Sequence, residues 1–332
     1  MVAPLSGSAP IPGVPTPDPL AAILDVLDRG RRFLVCSHER PDGDAVGSML
    51  ALSMVIEEMG KSADLVTADR VPSEYRQLPG VDAIRTMRRI RGSYDAAILL
   101  ECDSLVRTRL RGLDAFFLVN IDHHITGLNF AQLNWIDCSA ASVGEMVYRL
   151  AQAAGVAISA QMAQCLYTTI LTDTGGFSYG NVRESTFALA RELVHAGADP
   201  IVIAEEVYYS APASKLLLLG AALRRLKREG RLAWLWVNHQ DMQRAGATEA
   251  DSEGIVNVAL GMAGVDAVLF LRELPDGHIR ASLRSKGTLN VAEIAARLGG
   301  GGHQNASGCT LNGPLPRALK MILAELRGAL GI

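Results

Sequence analysis

The sequence predicts an α/β protein: a parallel-sheet N-terminal domain with helices on both faces, followed by a smaller mixed α/β C-terminal domain. Three observations carry that expectation. Short apolar runs of strand length alternate with segments of helical periodicity through the first half. Several of these runs end in loops bearing Asp or His, at the sheet edge where open α/β folds bind ligands. Beyond Gly230 the pattern changes to strands in hairpin order, with Pro275-Asp276-Gly277 as the turn signal.

Taken in order, a proline-rich tail spans residues 1–19, and a short helix runs from Pro19 to Leu27. So many prolines, with no basic segment leading into an apolar core, read as a disordered tail and not a secretory signal. Phe33 to Ser37 is a strand leading into His38-Glu39-Arg40-Pro41-Asp42-Gly43-Asp44, and Ala45 to Met59 is a helix. Strand, polar loop and helix open a βαβ unit. Ala63 to Thr67 and Tyr94 to Leu100 are two more strands, the second ending at Glu101-Cys102-Asp103. A fourth, Ala115 to Val119, runs into Asn120-Ile121-Asp122-His123-His124. Four helices follow, at Ser142–Ala153, Ala160–Leu171, Glu184–His195 and Pro200–Tyr209, the second delivering Asp173 at its end. A helix from Pro212 to Arg228 connects a catalytic domain at 20–211, through a connector at 212–229, to a second domain at 230–332. That domain holds a strand at Leu232–Val237, a helical stretch at Glu253–Met262 and the hairpin Ala267–Leu274 with His278–Leu283. A helix at Val291–Leu298 then leads to Gly299–Gly302 and His303, and a last helix closes the chain.

At 332 residues the chain has length for two domains, at roughly 100–200 residues each. A net charge of -3 gives no basic footprint for tracking a long duplex, while leaving room for a local pocket that takes a short phosphorylated ligand. The five cysteines are scattered and never in C-x-x-C spacing, which argues against a disulfide framework and suits a reducing cytoplasm. The longest apolar stretch, Leu216 to Leu223, falls well short of the ~20 residues of a membrane span, so no membrane partner is expected.

The acidic and His-bearing ends converge if the strands are parallel. His38, Asp42, Asp44, Asp103, His123 and Asp173 then supply carboxylates and imidazoles without a thiolate, a donor set for hard or borderline divalent ions such as Mn²⁺ or Mg²⁺. Six ligands exceed the needs of one catalytic ion; two ions sharing a carboxylate would use them all and suit phosphoryl displacement. Taken singly, each member has a plainer account, Asp44 as an N-cap for instance. The glycines at 299–302 let backbone N–H groups approach a phosphate, with His303 beside them, and Arg284-Ser285-Lys286 offers a cationic fork.

The residues His38-Glu39-Arg40-Pro41-Asp42-Gly43-Asp44-Ala45-Val46-Gly47-Ser48 resemble the first motif of the DHH phosphoesterases. Asp103 falls where the second-motif Asp is expected, Asp122-His123-His124 resembles the naming motif, and Thr172-Asp173-Thr174-Gly175 the fourth. Gly299 to Gly308 is similar to the hallmark of the associated C-terminal domain, with Gln304 and Ser307 where the family often has Lys and Ala. Within the superfamily, the size and second domain resemble the bifunctional oligoribonucleases and pAp phosphatases. The resemblance implies two Mn²⁺ on His38, Asp42, Asp44, Asp103, His123 and Asp173, with Asp103 central to catalysis. It implies that His124 contacts the scissile phosphate and that Asp122 orients its neighbours. Arg284, Ser285, Gly300, Gly301, Gly302 and His303 would hold the substrate's far end across an active-site cleft between the domains. The expected function is hydrolysis of short oligoribonucleotides and of pAp; cleavage of cyclic or linear dinucleotides is the runner-up, and a nucleotide sensor the non-enzymatic alternative. A homodimer is left open.

Overall fold

The computed structural model describes residues 18–124 and 127–332, with His303 described by its backbone alone. The proline-rich tail up to residue 17 lies outside the described residues. The chain divides between Ser210 and Ala211 into two compact units.

The first unit opens with α1 (Pro19–Arg29), capped by Asp18, whose carboxylate accepts from the Leu20 N–H at 3.1 Å. It continues through β1 (Arg32–Cys36), α2 (Gly43–Glu58), β2 (Ser62–Thr67), β3 (Ile84–Thr86), β4 (Ala96–Leu100), β5 (Leu118–Asp122) and β6 (Leu133–Ile136). Four helices complete it: α3 (Val143–Ala153), α4 (Ala160–Asp173), α5 (Glu184–His195) and α6 (Pro200–Tyr208). The six strands lie in the order β3-β2-β1-β4-β5-β6, and every pairing is parallel. Strand order reverses between β1 and β4, the crevice where such sheets place ligands.

Side-chain alternation sends Phe33, Val35, Ile98, Leu100, Val119 and Ile121 to a core shared with α1–α4. Leu34, Cys36, Ala97, Leu99 and Leu118 face the other way, under Ile90, Leu110 and Leu113. On that second face the cover comes largely from loops and short 3-10 turns, including Leu105–Thr108 and Leu113–Ala115. Three glycines set how closely the helices approach. A Cβ at Gly43 would lie 2.5 Å from Thr172 Oγ1, one at Gly47 2.6 Å from the Cys165 carbonyl, and one at Gly144 1.9 Å from Thr169 Oγ1. The starts of α2 and α3 therefore sit directly against α4.

The second unit runs α7 (Ala213–Leu223), β7 (Lys227–Glu229), β8 (Leu232–Val237), α8 (His239–Ala245), α9 (Ile255–Leu260), β9 (Ala267–Glu273) and β10 (His278–Ser285). It ends with α10 (Val291–Arg297), β11 (Gly301–His303), β12 (Ala306–Asn312) and α11 (Leu315–Leu330). Its sheet order is β11-β12-β10-β9-β8-β7, antiparallel except for the β8–β9 pair.

Several elements differ from the sequence expectation. The fourth strand begins at Leu118, not Ala115, because 113–115 form a 3-10 turn; Asp122 is thus its last residue. The helix expected to Arg228 stops at Leu223, and Lys227–Glu229 fold back on β8 through Gly230 at φ 55°. The edge strands β3, β6, β7 and β11, together with β12 and α8, were not anticipated. Gly301–His303 pairs with Ala306–Gly308. Gly300 and Gly302 have a packing reason there: a Cβ would lie 2.2 Å from the Gly308 carbonyl and 2.5 Å from the Ala306 carbonyl, respectively.

Candidate metal centre

Residues from β1, α2, β4, β5 and α4 meet at the C-terminal edge of the first sheet. β1 and β4 are paired, with Cys36 opposite Leu99, so the residues that follow each strand emerge side by side. Glu101 comes immediately after β4, and its N–H donates to the Ile121 carbonyl at 3.0 Å. It takes a left-handed φ of 59°, unusual for a residue with a side chain, and this bend turns the chain away from the strand direction. The Glu101 carboxylate is buried, with Oε2 3.5 Å from His38 Nε2.

Each imidazole is fixed from behind. His38 Nδ1 lies 2.8 Å from the Glu39 carbonyl, and His123 Nδ1 lies 3.2 Å from the Ala140 carbonyl. A carbonyl can only accept, so Nδ1 carries the proton in both rings and Nε2 presents a lone pair. His38 Nε2 faces Glu101 and, at 3.9 Å, Asp42. His123 Nε2 faces Asp173 at 3.5 Å and Asp44 at 3.9 Å. A backed imidazole with its lone pair turned into carboxylates is the arrangement of a metal-ligating histidine.

Asp44 is buried yet well supported. Its carboxylate accepts from the Val143 and Gly144 N–H groups at 2.7 and 3.0 Å, and from the Ser48 hydroxyl at 3.0 Å. It therefore caps the start of α3, where the helix dipole favours negative charge. Asp42, not Asp44, is the N-cap of α2, accepting from the Ala45 N–H at 3.0 Å. Asp173 closes α4, and the Asn181 amide donates to its carbonyl at 3.1 Å.

The electrostatics of the cluster are those of crowded negative charge. Burial and then neighbouring carboxylates, Asp42 first, push Glu101 well above the usual carboxylate range. Burial raises Asp44 as well. Asp173 is pushed up to about 7, by burial and then by Asp44. Burial alone would lower His123, but Asp44 and Asp173 outweigh it and its pKa rises; His38 is lowered, chiefly by burial.

The ligand atoms form three groups, those of each lying within 4.8 Å of one another: His38, Asp42 and Glu101; Asp44, Glu101, His123 and Asp173; and Glu101, His123 and His124. Glu101 belongs to all three. His38 Nε2 and Glu101 Oε2 are buried and have no hydrogen-bond partner among the described residues. Orphaned buried donors and acceptors are costly, and a divalent cation would satisfy both at once. The oxygen and nitrogen donors, with no thiolate, suit a hard or borderline ion. The residues fit the group.

The structure brings together five of the six expected ligands and leaves Asp103 outside these groups. Its carboxylate accepts from the Ser104 hydroxyl at 3.0 Å and lies 3.6 Å from Arg107 Nη1. Glu101, absent from the sequence-derived set, occupies the place assigned to Asp103. A signal for it existed, since Glu101 is the first residue after the fully buried β4, whereas Asp103 lies two residues into the loop. Asp122 is buried, and its Oδ1 accepts from the His123 and His124 N–H groups at 2.9 and 3.3 Å and from His124 Nδ1 at 2.7 Å. Burial raises Asp122, but its hydrogen bonds with His124 outweigh that and hold it below the usual range.

In the second unit, Arg284 lies on the face of β10 opposite the core residues Ile279, Ala281 and Leu283, and donates to the Leu283 carbonyl at 3.0 Å. Ser285, expected as a substrate contact, is buried instead: its hydroxyl donates to the Leu289 carbonyl at 2.7 Å and accepts from the Asn305 amide at 2.9 Å. The strand alternation that turns Arg284 to the opposite face turns Ser285 inward. The His303 side chain, also expected at the substrate, lies outside what is described.

Both units of the chain match known families. Residues 32–170 match the DHH family, N-terminal domain, and residues 230–330 match the DHHA1 domain. The chain belongs to the DHH family of phosphoesterases. Among its relatives is the bifunctional oligoribonuclease and PAP phosphatase NrnA of Thermus thermophilus, 33% identical over 295 residues and 88% of each chain. The protein of the same name from Bacillus subtilis is 27% identical, over 82% of this chain and 87% of that one. The cyclic-di-AMP phosphodiesterase GdpP of Geobacillus thermodenitrificans is 26% identical, over 85% of this chain but 45% of its own length. An exopolyphosphatase-related protein from Bacteroides fragilis has a crystal structure similar over 95% of this chain and 98% of that one, at 27% identity and a TM-score of 0.87.

Proposed function

We propose that this protein hydrolyses short oligoribonucleotides to nucleoside monophosphates and dephosphorylates pAp, using two divalent ions, Mn²⁺ by preference. His38, Asp42, Asp44, Glu101, His123 and Asp173 would hold the ions. The observation that carries the reading is that Glu101 belongs to every one of these ligand groups, so its carboxylate would serve a site that holds more than one ion. Bound there, the ions supply Lewis-acid charge for the phosphoryl oxygens and a nucleophile at neutral pH.

The chain's own residues do the rest. The carbonyls of Glu39 and Ala140 keep His38 and His123 in the ligating tautomer. Asp122 orients the His124 ring, which we assign to the scissile phosphate. Arg284, the edge glycines Gly300 to Gly302 and His303 are assigned to the substrate's far phosphate, whose capture positions the reacting one. An exonucleolytic mode on very short chains in the cytoplasm completes the reading; four of the five cysteines are buried and all are free, which suits a reducing compartment.

Names of relatives favour the short-RNA and pAp reading, since the one of highest stated identity carries both activities in its name. The similarity to GdpP favours cyclic dinucleotide cleavage as the second reading. Turnover by the Mn²⁺-loaded protein on RNAs of two to five nucleotides, pAp, c-di-AMP and linear pApA separates them. Preference for short RNA together with pAp supports the first, and preference for c-di-AMP the second. Metal binding without turnover on any of them overturns both.

A further inference from the structure

The loop after Asp173 carries an aromatic side chain that the metal chemistry does not use. Beyond α4 the chain turns tightly: the Gly176 N–H donates to the Leu171 carbonyl at 2.8 Å, and the Ser178 and Tyr179 N–H groups to the Thr174 carbonyl at 2.9 and 3.0 Å. Gly175, Gly176 and Phe177 take φ values of 57°, 66° and 63° in succession. Phe177 adopts this left-handed conformation against the preference of a residue with a Cβ. Its ring is held by stacking on Phe187, with centroids 5.4 Å apart, and by the edge of Tyr167 at 6.3 Å.

The result is a fixed position for Tyr179. Its ring lies on Gly175, where a Cβ would sit 2.4 Å from two ring carbons. With one face seated this way, Tyr179 is still 58% exposed, and its ring has no stacking partner among the described residues. The same loop is fastened to the metal centre, because the Asn181 amide donates to Asp173 Oδ2 at 3.4 Å and to the Ala141 carbonyl at 2.9 Å. The loop that holds Phe177 in this conformation leaves the Tyr179 ring exposed, a few residues after Asp173. Such strain gathers where function requires it.

We propose that Tyr179 is a nucleobase platform: its open face stacks on the base of the nucleotide whose phosphate lies at the Asp173 cluster. This rests on the nucleotide reading above and adds how the base is held. Every base has a π-face, so a stacking platform accepts any sequence, as removal of short RNA remnants requires.

The test compares wild type with Y179A, Y179F and Y179W, all loaded with Mn²⁺. The substrates are a 5′-phosphorylated diadenosine ribonucleotide and its abasic counterparts. Stacking on an aromatic side chain predicts that Y179A raises KM for the base-bearing dinucleotide by about 5- to 150-fold, with kcat within about twofold. Y179F and Y179W restore KM, and abasic substrates do not distinguish the variants. Equal loss on both substrates, no loss, or failure of Y179F and Y179W to restore KM overturns the proposal. Binding of a 2-aminopurine dinucleotide reports stacking without turnover. Fluorescence quenching present in wild type and lost in Y179A supports the platform even where hydrolysis is absent, which would defeat the nucleotide-hydrolase reading alone. Quenching unchanged in Y179A overturns the platform, and no binding by wild type overturns both.

Discussion

Glu101 sits where three ligand groups overlap, while Asp103 is engaged with Ser104 and Arg107 on the adjoining loop. Asp103→Ala is accordingly expected to lower turnover by no more than about 100-fold, as for an outer partner of a site, which steady-state kinetics would check. Asp122→Asn removes the charge on which His124 is oriented. It should lower kcat by about 10- to 100-fold while leaving the metal content intact; lost metal would mean that Asp122 supports the ligands as well. The raised carboxylates give the metal-free protein a defined pH response. The folded-state pKa of Asp173, about 7, lies above its ordinary value of 3.8, so the folded state holds the proton more tightly than the unfolded chain does. Its contribution to stability is therefore lost as pH rises from about 4 through 7. Thermal melts in chelator should show a steeper decline from about pH 4 to 7 for wild type than for Asp173→Asn, and added Mn²⁺ should flatten the wild-type curve because binding displaces those protons. A metal-free Asp173→Asn protein with the same pH slope as wild type would contradict this.

At the level of elements, the cluster depends on how closely α2, α3 and α4 pack. Gly144→Ala would drive a methyl into Thr169 and push away the α3 start that holds Asp44. Overpacking of this kind costs about 1–3 kcal/mol. Denaturant unfolding should show that loss, together with weaker metal affinity; an unchanged midpoint would mean that the helices part freely. How far elements were legible in the sequence followed from their burial. β1 and β4 are almost wholly buried, so their apolar runs stood out. The edge strands β3, β7 and β11 are three residues each, with exposed, charged or glycine-rich sequence, and no periodicity can accumulate over that length. Five of the six side chains expected as ligands come together because loops at strand ends converge. Asp103 stays outside although the strand end was read at Leu100, where it lies, because the positive φ that bends the chain at Glu101 leaves no mark in composition. The inward turn of Ser285 was not legible for a related reason. A one-residue step along a strand reverses the face, and Arg284-Ser285 carries no sign of which of the two is turned inward.

For the molecule as a whole, two compact units separate the tasks proposed here, a parallel sheet with the acidic centre and a mostly antiparallel sheet carrying Arg284. Among the described residues no helix is long and apolar enough to cross a membrane. Arg284→Ala should raise KM for 5′-phosphorylated dinucleotides by about 10-fold or more, the loss of a charge-assisted hydrogen bond, without changing metal content. The central claim is that Glu101 ties two ions into one reaction centre. Metal content and turnover measured together on wild type, Glu101→Gln and Asp103→Ala test it most directly. The account predicts two divalent ions per chain in wild type and in Asp103→Ala, both active. It predicts fewer than two in Glu101→Gln, with turnover reduced by more than about 100-fold, beyond the loss typical of an outer partner. Two ions and near-normal turnover in Glu101→Gln, with both lost in Asp103→Ala, would contradict it and return the bridging role to Asp103.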